Sequence, residues 1–129
     1  MIPEIESFYN RIAAAIVDAI AEPWLNASIE VTFYPESSSC SAEYRRPDGK
    51  LRSVGLQMDG VRAFRELRRK FKECGKPLWG QATFYIEPSG RFNMKWGYEN
   101  LDENGNTRFD ADEWHLKQEE SRLRLNREG

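Results

Sequence analysis

Apolar side chains near the start of the chain recur every three or four residues. This spacing puts them on one face of a helix. The residues that carry it are Ile5, Phe8, Ile12, Ile16 and Ile20. Pro3 suits the first turn of such a helix, because the first N–H groups of a helix lack internal partners in any case. Pro23 ends the pattern, so we predict a helix before it.

From Ala27 the period of the pattern changes to two. Ile29, Val31 and Phe33 alternate with more polar neighbours, as expected of a half-buried strand. Two further strands are predicted at residues 40–45 and 50–56. Between them, Pro47-Asp48-Gly49 favours a tight turn, because proline fixes one φ angle and glycine permits a positive one.

A second helix is predicted from Asp59 to Cys74, with Asp59 as its N-cap. Its apolar stripe consists of Val61, Phe64, Leu67, Phe71 and Cys74. Gly75 and Pro77 are typical of the residues that follow a helix, so they mark its end.

A second hairpin gives the clearest strand signal. Its first strand runs from Trp79 to Ile86, and Pro88-Ser89-Gly90 forms the turn. The second strand has apolar residues at every other position, which strand geometry places on one face. We predict that this face points inward; it carries Phe92, Met94, Trp96 and Tyr98.

The polar segment 101–109 is predicted to be a loop. Asp110 to Glu113 then resembles a capping box that opens a short last helix. The order helix, hairpin, helix, hairpin, helix predicts a single α+β domain over residues 1–129. Its antiparallel sheet of about five strands would have helices packed mainly on one face.

Composition narrows the classes of function. The 129 residues have a net charge of −2 and a pI near 5.5, which argues against a globally basic nucleic-acid binder. One His and two Cys supply little for metal or base chemistry. The acidic start differs from a signal peptide, and no apolar segment approaches the roughly 20 residues of a membrane span. We therefore expect a cytoplasmic protein with reduced thiols.

The small net charge is the sum of opposed blocks. Residues 1–40 carry one basic and six acidic side chains. Residues 41–76 carry eleven basic and five acidic side chains, and residues 87–120 carry four basic and nine acidic ones. The basic block places six cations on the second helix, where they could hold phosphates: Arg62, Arg65, Arg68, Arg69, Lys70 and Lys72. No free aromatic residue lies among them to stack bases, so a solvated helix face is the favoured interpretation.

The acidic block could present carboxylates to a basic partner, which would steer association. Its members are Glu99, Asp102, Glu103, Asp110, Asp112 and Glu113. From Asp102 to Glu113 the oxygen ligands have the spacing of a calcium-binding loop. However, position six is Thr107 where such a loop needs glycine, so we predict a turn and a helix cap and no metal site. Trp114 is the aromatic residue that we expect to be exposed.

An enzyme is not predicted. His115 lies in no recognisable catalytic motif, and neither does Cys40 or Cys74. The glycines are too scattered to cradle a phosphate. We therefore expect no catalytic residue and no cofactor.

Several short motifs resemble one family. These are Lys72-Glu73-Cys74-Gly75 at the end of a basic helix, then Trp79, Gly90-Arg91-Phe92 and Tyr98-Glu99-Asn100-Leu101, with Phe8-Tyr9 and Pro23-Trp24 earlier in the chain. Together they are similar to the YezG-like immunity proteins. That family tends to have paired acids after the tyrosine, where this chain has Glu99-Asn100. The resemblance implies a small bacterial α+β antitoxin that neutralises a secreted toxin by binding it.

The leading hypothesis is therefore an immunity protein that binds a cognate toxin domain through an acidic surface. A nuclease is a fitting toxin, because its groove for phosphates must be basic. The surface would comprise Glu99, Asp102, Glu103, Asp110, Asp112 and Glu113, with Trp114 as an anchor. The alternative is a nucleic-acid-binding or regulatory domain that uses the basic helix 59–74.

Overall fold

The computed structural model describes residues 2, 4–108, 116, 118–120, 122 and 123. Within residues 4–108 the chain forms two long helices and five strands. In chain order they are α1 (Ile5–Val17), β1 (Asn26–Phe33), β2 (Ser38–Arg45), β3 (Leu51–Val54), α2 (Met58–Glu73), β4 (Gln81–Ile86) and β5 (Phe92–Gly97). Residues 116, 118–120, 122 and 123 are also helical. The predicted start of that last helix, Asp110 to Glu113, lies outside the described residues.

The five strands form one antiparallel sheet in the order β3-β2-β1-β4-β5. β1 is central, and its Val31 lies between Cys40 of β2 and Ala82 of β4. On β1, Ile29 and Val31 are fully buried whereas Glu30 between them is exposed. The predicted α+β architecture and its five strands are confirmed.

Both helices pack on the same face of the sheet. The buried residues of α1 and α2 join the inward residues of β1, β2 and β4 in one hydrophobic cluster. Its largest fully buried side chains include Trp79, Phe64 and Phe84. The opposite face of the sheet carries exposed Glu30 and Lys95. None of the helices in the described part of the chain is long and apolar enough to cross a membrane.

Two helix boundaries differ from the prediction. α1 ends at Val17 rather than near Ile20. α2 begins at Met58, and its N-cap residue is Gln57, which has extended backbone angles and no side-chain cap hydrogen bond. Asp59 was therefore wrongly predicted to cap this helix. It lies in the first turn instead, where its carboxylate pairs with Arg11 of α1.

The inward face predicted for β5 is only partly covered. Met94 and Trp96 are half-buried against the core, but Phe92 is 44% exposed and Tyr98 49% exposed. β5 lies at the edge of the sheet, where a neighbouring strand covers it on one side only. Tyr98 also lies beyond the end of the strand. Alternation therefore gave the correct face but overestimated its burial.

Arg11 connects the two helices electrostatically. Its Nη2 lies 2.8 Å from Asp59 Oδ1 and 2.7 Å from Glu66 Oε2. The hydrogen bonds from Arg11 hold the pKa of Asp59 below its ordinary value. Because the folded pKa is depressed, the stabilisation is present above the pKa of an unfolded aspartate, about 4. It is lost as the pH falls through the folded pKa.

We therefore expect Asp59→Asn to make the free energy of unfolding less dependent on pH under acidic conditions. The variant should be less stable than the wild type at pH 7, and this difference should shrink at about pH 3. Urea denaturation at both pH values measures it. Glu36→Gln is the control, because Glu36 is exposed and pairs with no basic side chain of the described residues. An equal difference at both pH values would contradict this role of Asp59.

Candidate partner-binding site

Residues 99–108, here called the acidic loop, follow β5 and close on themselves. Leu101 and Thr107 form an isolated β-bridge, and the N–H of Asp102 donates to the carbonyl of Asn106 at 2.7 Å. The carboxylate Oδ1 of Asp102 accepts from the backbone N–H of Asn104 at 2.9 Å and of Asn106 at 3.0 Å. Asp102 thus shapes the loop, as aspartate commonly does in turns.

The calcium-like spacing has a structural explanation in this loop. Asp102 uses one oxygen for backbone N–H groups, and the side-chain oxygen of Asn106 accepts from Arg68 at 2.9 Å. Two of the presumed ligands thus already have protein partners. The described residues contain no group of three acidic, His or Cys side chains that could hold a metal ion. The later ligand positions, Asp110 and Glu113, lie outside those residues.

Gln81 and Thr107 fix the loop to the end of the sheet. The N–H of Thr107 donates to the carbonyl of Phe33 at 2.7 Å, and its hydroxyl donates to Gly80 at 3.2 Å. The side-chain amide of Gln81 donates to Thr107 Oγ1 at 2.6 Å and to the Glu99 carbonyl at 2.9 Å. It also accepts from the N–H of Glu99 at 3.2 Å. The backbone on both sides of the loop is therefore held.

Arg68 joins α2 to the same loop. Its Nε donates to the carbonyl of Trp79 at 2.9 Å, and its Nη2 donates to the carbonyl of Gly105 at 2.7 Å. The guanidinium carbon also lies 4.9 Å from the centre of the Phe33 ring. Desolvation lowers the pKa of Arg68, yet arginine remains charged in proteins. Arg68 is thus a structural cation rather than a member of an exposed basic face.

Gly80 permits the close contact between the loop and β4. A Cβ atom at this position would lie 2.4 Å from Leu101 Cδ2 and 2.7 Å from Thr107 Oγ1. Both distances are shorter than van der Waals contact. A side chain at this position would therefore displace the side chains of Leu101 and Thr107.

The structure places three of the predicted site residues together on the acidic loop. Glu99 and Glu103 are exposed, and neither forms an ion pair with another described residue. Asp102 is half-buried and is engaged within the loop. The other predicted members of the surface lie outside the described residues: Asp110, Asp112, Glu113 and Trp114.

The acidic loop borders a shallow depression on the open face of the sheet. Its volume is about 240 Å³, and its lining includes Glu30, Lys95, Glu99 and Arg108. Two carboxylates thus share the depression with two cations. Within the described residues, the purely acidic part of the surface is the outer tip of the loop, at Glu103.

The residues that anchor the loop were not predicted, although the sequence contains an indication of the role of Arg68. Position 68 lies four residues after Phe64 and three before Phe71, so it borders the apolar stripe of α2. An arginine there buries its stem and directs its guanidinium to a nearby polar group. Gln81 left no comparable signal, because a polar residue on the outer face of a strand is unremarkable.

The sequence model of the family described as "Immunity protein YezG-like" matches residues 55–120. No curated protein matches the chain. The family match extends over half of the 129 residues and includes α2, β4, β5 and the acidic loop. It confirms the resemblance noted in the sequence and supports an immunity role. The chain belongs to the YezG-like immunity protein family.

Proposed function

We propose that the chain neutralises a cognate toxin domain by binding it through the acidic loop. The observation that carries this proposal is the contrast between the backbone of the loop and its exposed side chains. The backbone is fixed by Arg68, Gln81 and Thr107, whereas the carboxylates of Glu99 and Glu103 have no ion pair within the described residues. A loop ordered before binding loses less entropy in a complex.

A nuclease is the toxin that this surface would suit. A nuclease must present cations to the phosphates of its substrate, and carboxylates can occupy the same cations. Opposed charges also accelerate association, by factors of about 10 to 1,000. In this proposal, Asp110, Asp112 and Glu113 extend the acidic surface, and Trp114 supplies an aromatic anchor of the kind that dominates many interfaces.

The proposed mechanism is occupation of the toxin without catalysis. Binding requires shape and charge complementarity but no nucleophile, base or cofactor. We further propose that the protein acts in the cytoplasm of the bacterium that makes the toxin. This location fits the exposed free thiols of Cys40 and Cys74, since a reducing compartment preserves them.

Removal of two carboxylates tests the acidic loop directly. The toxin for this test would be a secreted protein with a toxic C-terminal domain, sought in the reading frame beside the gene for this chain. We expect Glu99→Gln combined with Glu103→Gln to slow association with that domain about tenfold at low salt. The same variant should protect cells poorly when both proteins are co-expressed. Biolayer interferometry and a growth assay measure the two effects.

The matched control removes two carboxylates away from the loop, Glu6 on α1 and Glu87 after β4. Glu6→Gln combined with Glu87→Gln changes the net charge equally and should leave association and protection unchanged. Full protection and an unchanged association rate for the Glu99 and Glu103 variant would refute the assignment of this surface.

The basic face of α2, the helix predicted at 59–74, supports a second candidate function, nucleic-acid binding or regulation. Four of its cations are exposed and form no ion pair with the described residues: Arg62, Arg65, Arg69 and Lys72. Phosphate contacts of this kind would make affinity for RNA or DNA fall steeply with salt. A filter-binding assay at low salt that detects no complex would dismiss this candidate.

A further inference from the structure

A groove with basic walls runs between α2 and the connection from β1 to β2. Its volume is about 430 Å³. Phe33 and Leu78 contribute apolar surface, and the positive charge comes from Arg65, Arg68, Arg69 and Lys72. We refer to it as the basic groove. A volume of this size accommodates a few amino-acid side chains or a small ligand.

Three of the four cations in this groove form no ion pair within the described part of the protein, although Glu36 lies on its rim. Arg65, Arg69 and Lys72 are exposed, and none of them forms an ion pair there. Their spacing of four and three residues puts them on one side of α2, where like charges repel and weaken a helix. Other cations of the chain do have partners, as Arg11 and Lys70 show. The groove therefore concentrates positive charge, and an anionic ligand would reduce the repulsion between these side chains.

The apolar part of the groove favours an amphipathic ligand. Phe33 is 8% exposed, and the Arg68 guanidinium lies over its ring. That ring face is consequently not available to stack a nucleotide base. Leu78 is half-buried at the same place. An aliphatic side chain could pack on Leu78 and touch the small exposed part of Phe33, whereas a base could not stack there.

The extent of the positive charge also disfavours a nucleic acid. Arg65 and Lys72 are seven residues apart, which is about 10 Å along a helix. Glu36 lies on the rim of the groove, and Glu73 lies at the end of α2. Stable binding of a nucleic acid usually requires several phosphate contacts along its backbone. The three groove cations without an ion pair are bordered by carboxylates, so they are better suited to a short acidic segment.

We propose that the basic groove binds a segment of the toxin in which aspartate or glutamate side chains flank an aliphatic one. This inference rests on the proposed function, because it assigns a second contact to the same complex. The guanidinium groups of Arg65 and Arg69 would pair with carboxylates, for which their planar donors are well suited. The aliphatic side chain would pack on Phe33 and Leu78.

The two proposed contacts are adjacent in the fold. Arg68 lines the basic groove and also donates to Gly105 in the acidic loop. A partner that places cations on the acidic loop can therefore place a neighbouring acidic segment in the groove. Charges of opposite sign side by side define the orientation of a complex, because the reversed orientation juxtaposes like charges.

A peptide titration tests the groove without the toxin. The probe is a labelled peptide of sequence Glu-Asp-Leu-Glu-Asp, followed by fluorescence polarisation and by amide chemical shifts of the full chain. We expect saturable binding that Arg65→Gln combined with Arg69→Gln weakens about tenfold. The matched control, Lys50→Gln combined with Arg91→Gln, removes the same charge from two exposed turn positions and should bind as the wild type does. A peptide with serine in place of leucine should bind more weakly.

Three outcomes would overturn the groove proposal. The first is absence of peptide binding to the wild type, and the second is equal weakening by the two variant pairs. The third is tighter binding of a short single-stranded RNA or DNA than of the peptide. The variant of Glu99 and Glu103 should keep its peptide affinity. Failure of the toxin assay would thus reject the proposed function, whereas failure of the titration would reject the groove alone.

Discussion

Replacement of Arg68 with alanine should lower the free energy of unfolding by about 3 kcal/mol and release the acidic loop from α2. The change removes the donors for the carbonyls of Trp79 and Gly105 and for the side-chain oxygen of Asn106. A buried polar group that loses its partner costs about 1–3 kcal/mol. The guanidinium also lies over the Phe33 ring, and alanine loses that cation–π contact.

Urea denaturation and amide hydrogen exchange measure the two consequences separately. Exchange should accelerate at Gly105 and Asn106, whose N–H groups donate to Asp102. Arg69→Ala is the matched control, because Arg69 is the next residue along α2 but is exposed. Its effect should stay within about 0.5 kcal/mol. If the variants at 68 and 69 were equally stable, Arg68 would not hold the loop.

The same substitution links stability to the proposed function. Arg68 is a positioning residue, since it contacts the backbone of the acidic loop rather than supplying a carboxylate to the toxin. Loss of toxin binding in Arg68→Ala should therefore accompany faster hydrogen exchange in the loop. Arg68→Lys keeps the charge but lacks the planar set of donors, so both effects should be intermediate.

The sheet and its helices could be predicted from the sequence because burial follows local periodicity. Alternation from Ile29 to Phe33 defines β1, and the stripe from Phe64 to Phe71 defines the buried face of α2. Each pattern reports only which face of an element is buried. It does not show which polar groups are in contact. The elements were therefore predicted correctly, but the helix cap at Asp59 was not.

The polar contacts could not be predicted because they join distant parts of the chain. Asp59 pairs with Arg11, which is 48 residues away. The residues next to Asp59 in the sequence predict a helix cap instead. Gly105 accepts from Arg68 across 37 residues. Local spacing around Asp102 instead resembled a calcium loop. Such contacts depend on how α2 and the loop meet in space, which periodicity does not specify.

The fold partly neutralises the charge blocks of the sequence. Arg11 is the one basic residue among residues 1–40, and it pairs with Asp59 and Glu66 of the basic block. Glu22 similarly lies 3.5 Å from Arg46. Glu103 at the tip of the acidic loop and three cations of the basic groove are exposed and form no ion pair with the described residues. Near-neutrality of the whole chain therefore coexists with two charged surfaces that are available to a partner.

Replacement of Trp79 with alanine should have the largest effect on stability, about 3–5 kcal/mol. Trp79 is fully buried, and its ring centre lies 5.7 Å from that of Phe33, 5.9 Å from Phe71 and 4.8 Å from Trp96. Alanine would leave a cavity between two strands and α2 and would remove three aromatic contacts. Thermal and urea denaturation measure the loss, and Tyr85→Ala, at a 39% exposed position, gives the surface reference.

The indole N–H of Trp79 makes a second comparison informative. This group is buried, and it has no hydrogen-bond partner among the described residues. Trp79→Phe therefore removes an unsatisfied donor along with part of the ring, and the lost donor offsets some of the cost of the smaller cavity. We expect the phenylalanine variant to lose less than about half as much stability as the alanine variant. Equal losses in the two variants would contradict this account of the indole N–H.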